Sequence, residues 1–283
     1  MKTINPKEVS VGMLHGYLLA AIAPRPIAFA STIDKAGNVN LSPFSFFNVF
    51  GSNPPTLIFS PNKRVRDNSS KHTLENVLEH DEVVINMVDY AMVEQMSLAS
   101  CEYAKETNEF DKAGLTPIAS TMVQPPRVGE AKAAFECKVK QVIHMGEGGG
   151  AANLVICEVL LAHFSEDILN ENGFIDQTKT DWVARMGGDW YCRASGSALF
   201  EVPKPNLKLG IGVDNIPAHI RQNPAFTGND LGRLGNIERL PTPEEINTFK
   251  QQHPECTENP ITFAKQQLAA GNVWAAWLGL LCY

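Results

Sequence analysis

The residues with the clearest chemical potential are cations and hydroxyls gathered in one short stretch. Ser60, Lys63, Arg64, Arg66, Ser69, Ser70, Lys71, His72 and Thr73 lie close together, although the chain carries a formal net charge of -7. They run directly into Leu74-Glu75-Asn76-Val77-Leu78, a short helix pattern with Thr73 near its start. Basic side chains, hydroxyls and the N–H groups of a helix start are what a phosphate monoester requires. A solvated loop with a capping threonine is the commoner use of the same residues, and the sequence leaves both readings open.

Two arginines stand beside backbone punctuation. Arg25 sits within Pro24-Arg25-Pro26, an extended entry, where it is either a solvent-facing edge arginine or a contact for an anion or cofactor. Arg185 precedes Gly187-Gly188 and is followed by Trp190 and Tyr191. Glycine lets backbone approach a ligand ring closely, and a plain bend with aromatic packing uses the same residues. Between them, residues 40–48 mix hydroxyls and amides with aromatics and include Ser45, Phe46, Phe47 and Asn48. That composition can line a pocket for a flat ligand with polar edges.

Several other chemistries lack their residues. There is no Gly-x-Ser-x-Gly elbow and no visible acid–base triad. Gly146-Glu147-Gly148-Gly149-Gly150 has neither the Lys-Ser/Thr pair nor the glycine spacing of a phosphate loop, so it reads as a hairpin turn. His163, at the end of an apolar run, reads as structural or surface. Six cysteines are scattered without a CxxC pair or a Cys/His cluster, so no metal site is expected.

The elements that must position these residues centre on 24–61. Residues 27–33 read as a buried strand and Asp34-Lys35-Ala36-Gly37-Asn38 as its turn, which predicts a hairpin. A second turn at Gly51-Ser52-Asn53-Pro54-Pro55 leads into a strand over 56–60. Spacing predicts helices over 8–21 and 92–102, and strands over 82–88, 133–145 and 152–164. A hydrophobic fraction of 44% with 19% charged residues fits a globular chain, and its acidic balance argues against a nucleic-acid partner. Scattered thiols, an N-terminus without signal-peptide pattern and the lack of a long apolar run lead to the expectation of a cytoplasmic protein with no membrane contact.

Taken in order, Pro24-Arg25-Pro26, Ser31-Thr32 with Asp34 and Gly37, residues 40–48, Pro54-Pro55, Lys71-His72-Thr73 with Asn76, residues 82–86 and the Arg185–Tyr191 segment resemble the flavin reductase-like family, the FMN-binding split-barrel proteins that include flavoredoxin. The resemblance covers residues 10–200. It implies a mainly β fold with peripheral helices, a Greek-key split β-barrel, as a homodimer with FMN in a groove near the subunit interface; FAD is possible.

The resemblance also distributes the site. It implies Ser31, Thr32, Ser45, Phe46, Phe47 and Asn48 near the flavin ring and ribityl chain, with Ser60, Lys71, His72 and Thr73 towards the phosphate. Arg25, Arg185 and Tyr191 are carried over as cofactor contacts. Where many relatives have Asp before the threonine this chain has His72, an imidazole in place of a carboxylate, which would make that end more cationic near pH 6 if it faces the ligand. The implied activity is NAD(P)H-dependent flavin reduction, with hydride passing to flavin N5 and on to a small-molecule or protein acceptor. The alternatives are a flavin electron carrier or sensor that takes no hydride from a nicotinamide and, more distantly, a pyridoxamine phosphate oxidase.

Beyond residue 200 the resemblance stops. Residues 202–205 read as a linker, and 205–283 as an ordered extension expected to pack on the barrel or across the dimer. Within it Thr242 and Pro243 open a helix, and a last helix runs over 260–277 with Gly271-Asn272 as a possible break.

Overall fold

A computed structural model describes residues 1–205 and 208–282. The chain divides into two compact units, residues 1–200 and 201–283.

The first unit opens with α1 (Val11–Ala21), which begins at Ser10 because its hydroxyl accepts the Met13 N–H. No residue of α1 is buried within the chain. The hairpin follows as β1 (Ala28–Ile33) and β2 (Val39–Phe44), closed by Asp34, whose Oδ1 accepts the N–H groups of Ala36 and Asn38. Gly37 turns with φ +91°. Next come β3 (Phe47–Ser52), β4 (Pro55–Phe59), α2 (His72–Glu79) and β5 (Glu82–Met87). After α3 (Val93–Leu98) and α4 (Glu109–Ala113), two short strands pair, β6 (Pro117–Ile118) and β7 (Arg127–Val128). The long hairpin β8 (Ala133–His144) and β9 (Asn153–Phe164) then completes the main sheet, and β10 (Trp182–Arg185) with β11 (Tyr191–Ala194) forms a separate hairpin.

The main sheet is antiparallel, in the order β2-β1-β5-β8-β9-β4-β3. Its two edge strands are consecutive in the chain and joined through Ser45 and Phe46, an antiparallel barrel left open along one seam. Alternation sends β1 residues to opposite faces. Ala28 and Ala30 join Phe59, Val83, Ile85 and Cys157 in one core, which Leu74 and Val77 of α2 plug. Ile27, Phe29 and Leu41 face the other way, where Met92, Met96 and Phe110 cover them. The helix expected over 92–102 stops at Leu98, and the Ser100 hydroxyl donates to the Ser97 carbonyl, supplying a local bond that competes with further helix.

The second unit packs α5 (Ala218–Arg221), α6 (Gly228–Leu234), α7 (Pro243–Gln252), α8 (Pro260–Ala269) and α9 (Val273–Leu280) around Trp277. Thr242 caps α7 with Pro243 in its first turn and Glu245 closing the capping box. The single helix expected over 260–277 is two, divided at Gly271, which takes φ +81°. Trp277 is fully buried and donates its indole N–H to the Leu234 carbonyl, whereas Trp274 is partly exposed beneath the Arg239 guanidinium. Among the described residues no helix is long and apolar enough to cross a membrane.

Candidate functional site

The candidate site begins at the edge strand β2. Its inner side bonds to β1, and on its outer side the Leu41 N–H donates to Glu109 Oε2 at 2.9 Å. Asn40 Nδ2 donates to the other oxygen of Glu109 at 2.8 Å, and Thr73 Oγ1 donates to Asn40 Oδ1 at 2.7 Å. One turn further along α2, Asn76 Nδ2 donates to Thr32 Oγ1 at 3.1 Å. All five polar residues, Thr32, Asn40, Thr73, Asn76 and Glu109, are buried. Burial pushes the Glu109 carboxyl above the usual glutamate range, against the opposing hydrogen bonds from Leu41 and Asn40.

Thr73 is therefore not the helix cap. Lys71 occupies the N-cap position and supplies no side-chain cap. The first helical bonds run from Leu74 and Glu75 back to the Lys71 carbonyl, which leaves the N–H groups of His72 and Thr73 ahead of them. Lys71 is half-buried, and among the described residues its ammonium has no hydrogen-bond or ion-pair partner. Desolvation, followed by the nearby Arg64, pulls its pKa below the ordinary lysine value. A partly desolvated cation on the residue that opens a helix, with helix-start N–H groups directly after it, could hold an anion.

The rest of the basic loop is anchored. Arg64 reaches Glu102 at 2.8 Å, Ser69 Oγ at 2.9 Å and the Ser70 carbonyl at 2.7 Å, and Arg66 also meets Glu102. The glycine-rich segment forms the β8–β9 turn, as its spacing predicts, and it braces this loop. Gly150 N donates to the Lys63 carbonyl, and Lys63 N to that of Ala151. A Cβ on Gly149 would lie 2.9 Å from the Val65 carbonyl oxygen, so only glycine permits the approach. Ser60 is buried: its hydroxyl donates to Asn62 Oδ1 and accepts the Asn153 N–H.

At the other end of β2, Pro43 and Ser45 line a cavity of about 370 Å³ together with Ile27, Arg185, Asp189 and Tyr191. Residues 40 and 45 are separated by roughly 17 Å of extended chain. Arg185 lies over the Tyr191 ring, 4.6 Å from its centroid, and donates to the Gly188 carbonyl. Phe46 and Asn48 are exposed at the start of β3, and Phe47 is partly buried against the barrel core.

Arg25 is neither a solvent-facing edge residue nor open to the cavity. It is buried, and its guanidinium donates to the carbonyls of Leu19, Ile22 and Met186. Burial, and then Arg185, hold its pKa below the usual arginine value.

The structure thus brings Lys71, His72 and Thr73 to one end of β2 and Ser45, Arg185 and Tyr191 to the other, with Ser31 and Thr32 buried on the neighbouring strand. Among the described residues Ser31 Oγ, Asn76 Oδ1, Arg25 Nε and Arg127 Nε are buried without a hydrogen-bond partner. Orphaned buried groups are rare in folded proteins. A phosphorylated ring ligand fits the Lys71 cation at one end of β2 and Ser45, Arg185 and Tyr191 at the other. Glu109 and Glu102, which hold the site from outside, carry no local sequence signal; only folding brings them to Asn40 and Arg64. Among the described residues no group of His, Cys, Asp and Glu side chains could hold a metal ion.

Comparison with known proteins bears on the family and the fold. An uncharacterized protein of Aquifex aeolicus is 39% identical over 196 residues, covering 69% of this chain and 97% of the relative. The nitrilotriacetate monooxygenase component B of Bacillus cereus is similar in structure, with a TM-score of 0.66 and 29% identity over 71% of this chain and 98% of that one. The 2-nitrobenzoate 2-nitroreductase of Pseudomonas fluorescens follows at 0.63 and 26%, covering 71% and 96%. A flavin reductase with a split-barrel domain from Shewanella frigidimarina matches at 0.59 and 26%, covering 70% and 95%. The model of the flavin reductase like domain matches residues 20–181, and the chain belongs to that family of flavin-related oxidoreductases, with its split-barrel fold.

Proposed function

We propose that the first unit binds FMN with its phosphate at Lys71 and the start of α2 and its ring towards Ser45, Arg185 and Tyr191, and that the protein is an NAD(P)H-dependent flavin reductase. The observation that carries this reading is that Lys71, whose ammonium has no hydrogen-bond or ion-pair partner among the described residues, opens α2, which meets β2 at Asn40, at the opposite end of that strand from the Arg185 cavity. Bound flavin would supply the redox chemistry, accepting hydride from a nicotinamide at N5. The protein's own task is to hold and orient it. Lys71 and the helix start would hold the phosphate, the seam between β2 and β3 would offer backbone to the ligand, and the Arg185 cation would favour negative charge on the reduced flavin. The protein needs no general acid or base for this role. The Bacillus and Pseudomonas neighbours, whose names denote a monooxygenase component and a nitroreductase, support a redox role.

The same reading includes a homodimer. Supporting it, α1 and β3 present Met13, Leu18, Val49 and Phe50 to solvent, and His15 and Phe46, with ring centroids 6.2 Å apart, make the two elements one patch. A second copy of this chain is the occupant proposed for it. Light scattering should report a dimer, and Phe50→Asp should shift it towards monomer.

The deciding experiment is an anaerobic visible spectrum of FMN-loaded protein before and after NADH and then NADPH. Bleaching of the oxidised-flavin band by either nucleotide supports the reductase. Bound flavin that neither nucleotide bleaches would make the protein an electron carrier or sensor, and absence of flavin binding would overturn the whole reading.

A further inference from the structure

Glu109 stands outside every set of residues assigned so far to ligand contact, yet it is the hub of the only buried hydrogen-bond chain that reaches α2 from another helix among the described residues. It is 4% exposed and makes no salt bridge among the described residues. A buried carboxylate without a counter-ion persists only where hydrogen bonds answer both oxygens. Here Oε1 accepts Asn40 Nδ2 at 2.8 Å and Oε2 accepts the Leu41 N–H at 2.9 Å.

The consequence passes to Asn40. With its amide nitrogen held by a carboxylate, Asn40 can turn only its carbonyl towards α2, because the flipped amide would set oxygen against oxygen. That carbonyl accepts the Thr73 hydroxyl at 2.7 Å. The Thr73 proton is thereby committed inward, away from any anion at the helix start, and the backbone there is pinned to β2. What remains to meet an anion is Lys71 with the N–H groups of His72 and Thr73.

We infer that Glu109 is a positioning residue of the phosphate end of the flavin site, acting through Asn40 and Thr73 to fix the start of α2. This rests on the placement of the FMN phosphate at Lys71. A glutamine at 109 keeps the shape but offers one acceptor oxygen to two donors, so either the bond to Asn40 is lost or the Asn40 amide flips and turns its NH2 on the Thr73 hydroxyl; in both cases the fixed direction of the chain is lost.

The test compares FMN with riboflavin, which lacks only the phosphate, by quenching of flavin fluorescence on the full-length protein. Wild type should bind FMN more tightly than riboflavin. Glu109→Gln should lower that preference about tenfold, the loss of roughly one charge-assisted hydrogen bond, with riboflavin affinity within about twofold of wild type. Thr73→Val should do the same, Thr73→Ser should retain the preference, and the double variant E109Q/T73V should lose no more than the larger single loss.

An unchanged preference in Glu109→Gln overturns the inference, as do equal losses for both flavins, which indicate general loosening, or additive losses in the double variant. If Glu109→Gln does not fold, Thr73→Val against Thr73→Ser carries the test, and a full preference in Thr73→Val overturns it. Wild type that binds both flavins alike, or neither, overturns the phosphate placement together with this inference. That failure shows itself before any substitution is made.

Discussion

Arg25 and Arg185 bond to each other through their backbones, N–H to carbonyl in both directions, at 3.0 and 2.9 Å. The bridge joins the entry to β1 with the end of β10 and divides two cations between two tasks. Arg25 turns inward to the carbonyls of Leu19, Ile22 and Met186, and Arg185 lies over Tyr191 at the cavity.

Arg25→Met should therefore destabilise the protein without acting first on the ligand. Three carbonyls lose the charged donor that the buried Arg25 guanidinium supplies, and a cost of about 2–4 kcal/mol is expected in urea unfolding. Arg25→Lys should recover less than half of it, because an ammonium cannot reproduce the planar fork of a guanidinium.

FMN affinity should have an alkaline limb set by Lys71. A phosphate favours the charged ammonium, so binding weakens as pH rises through a pKa that burial and Arg64 hold below 10.5. Without ligand the sign reverses: the unfolded chain binds this proton more tightly, so the Lys71 contribution disfavours folding less as pH rises through the same window. Fluorescence titration across pH should show the limb in wild type. Lys71→Met should abolish it and weaken FMN binding about tenfold or more.

Gly149→Ala tests the brace behind the basic loop. A Cβ placed 2.9 Å from the Val65 carbonyl oxygen must displace backbone, because no flexible side chain is there to yield. The expected result is a loss of about 1–3 kcal/mol in stability, with FMN affinity falling more than riboflavin affinity. Thermal melts and paired flavin titrations would measure the two effects.

The second unit should lose stability in acid at Asp230. Burial opposes its ionisation, but hydrogen bonds from Lys265 and Thr227 outweigh this and hold the carboxyl down at about 2. A carboxylate with a depressed folded pKa stabilises above its unfolded value and loses that contribution as pH falls towards the folded one. Stability should therefore decline from about pH 4 to about pH 2. Asp230→Asn, which also breaks the Thr227 capping box, should flatten the decline and lower stability at neutral pH by about 1 kcal/mol.

Sequence was most informative where local chemistry decides structure. The Asp34–Asn38 turn, the Thr242 cap and the β8–β9 glycine turn follow from side-chain-to-backbone bonds and glycine torsions within a few residues. The flavin family was also visible, because its motifs keep their order along the chain. Arg25 and Thr73 were not legible, since their partners are Met186 and Asn40, supplied by distant segments. Glu109 belongs with them: its neighbours in sequence describe an ordinary polar helix start, and only docking of α4 on β2 makes it a buried acceptor.

The site framed by Asn40, Thr73 and Glu109 at one end of β2 and by Arg185 at the other also has a kinetic side. Each residue comes from a segment far from the others in sequence, so the pocket exists only once several long loops have closed. Contacts of that kind are costly to form early, and a transition state that lacks them offers a ligand nothing to grip. A ligand seated there would then slow unfolding by stabilising the native state alone, and would leave the folding rate almost unchanged.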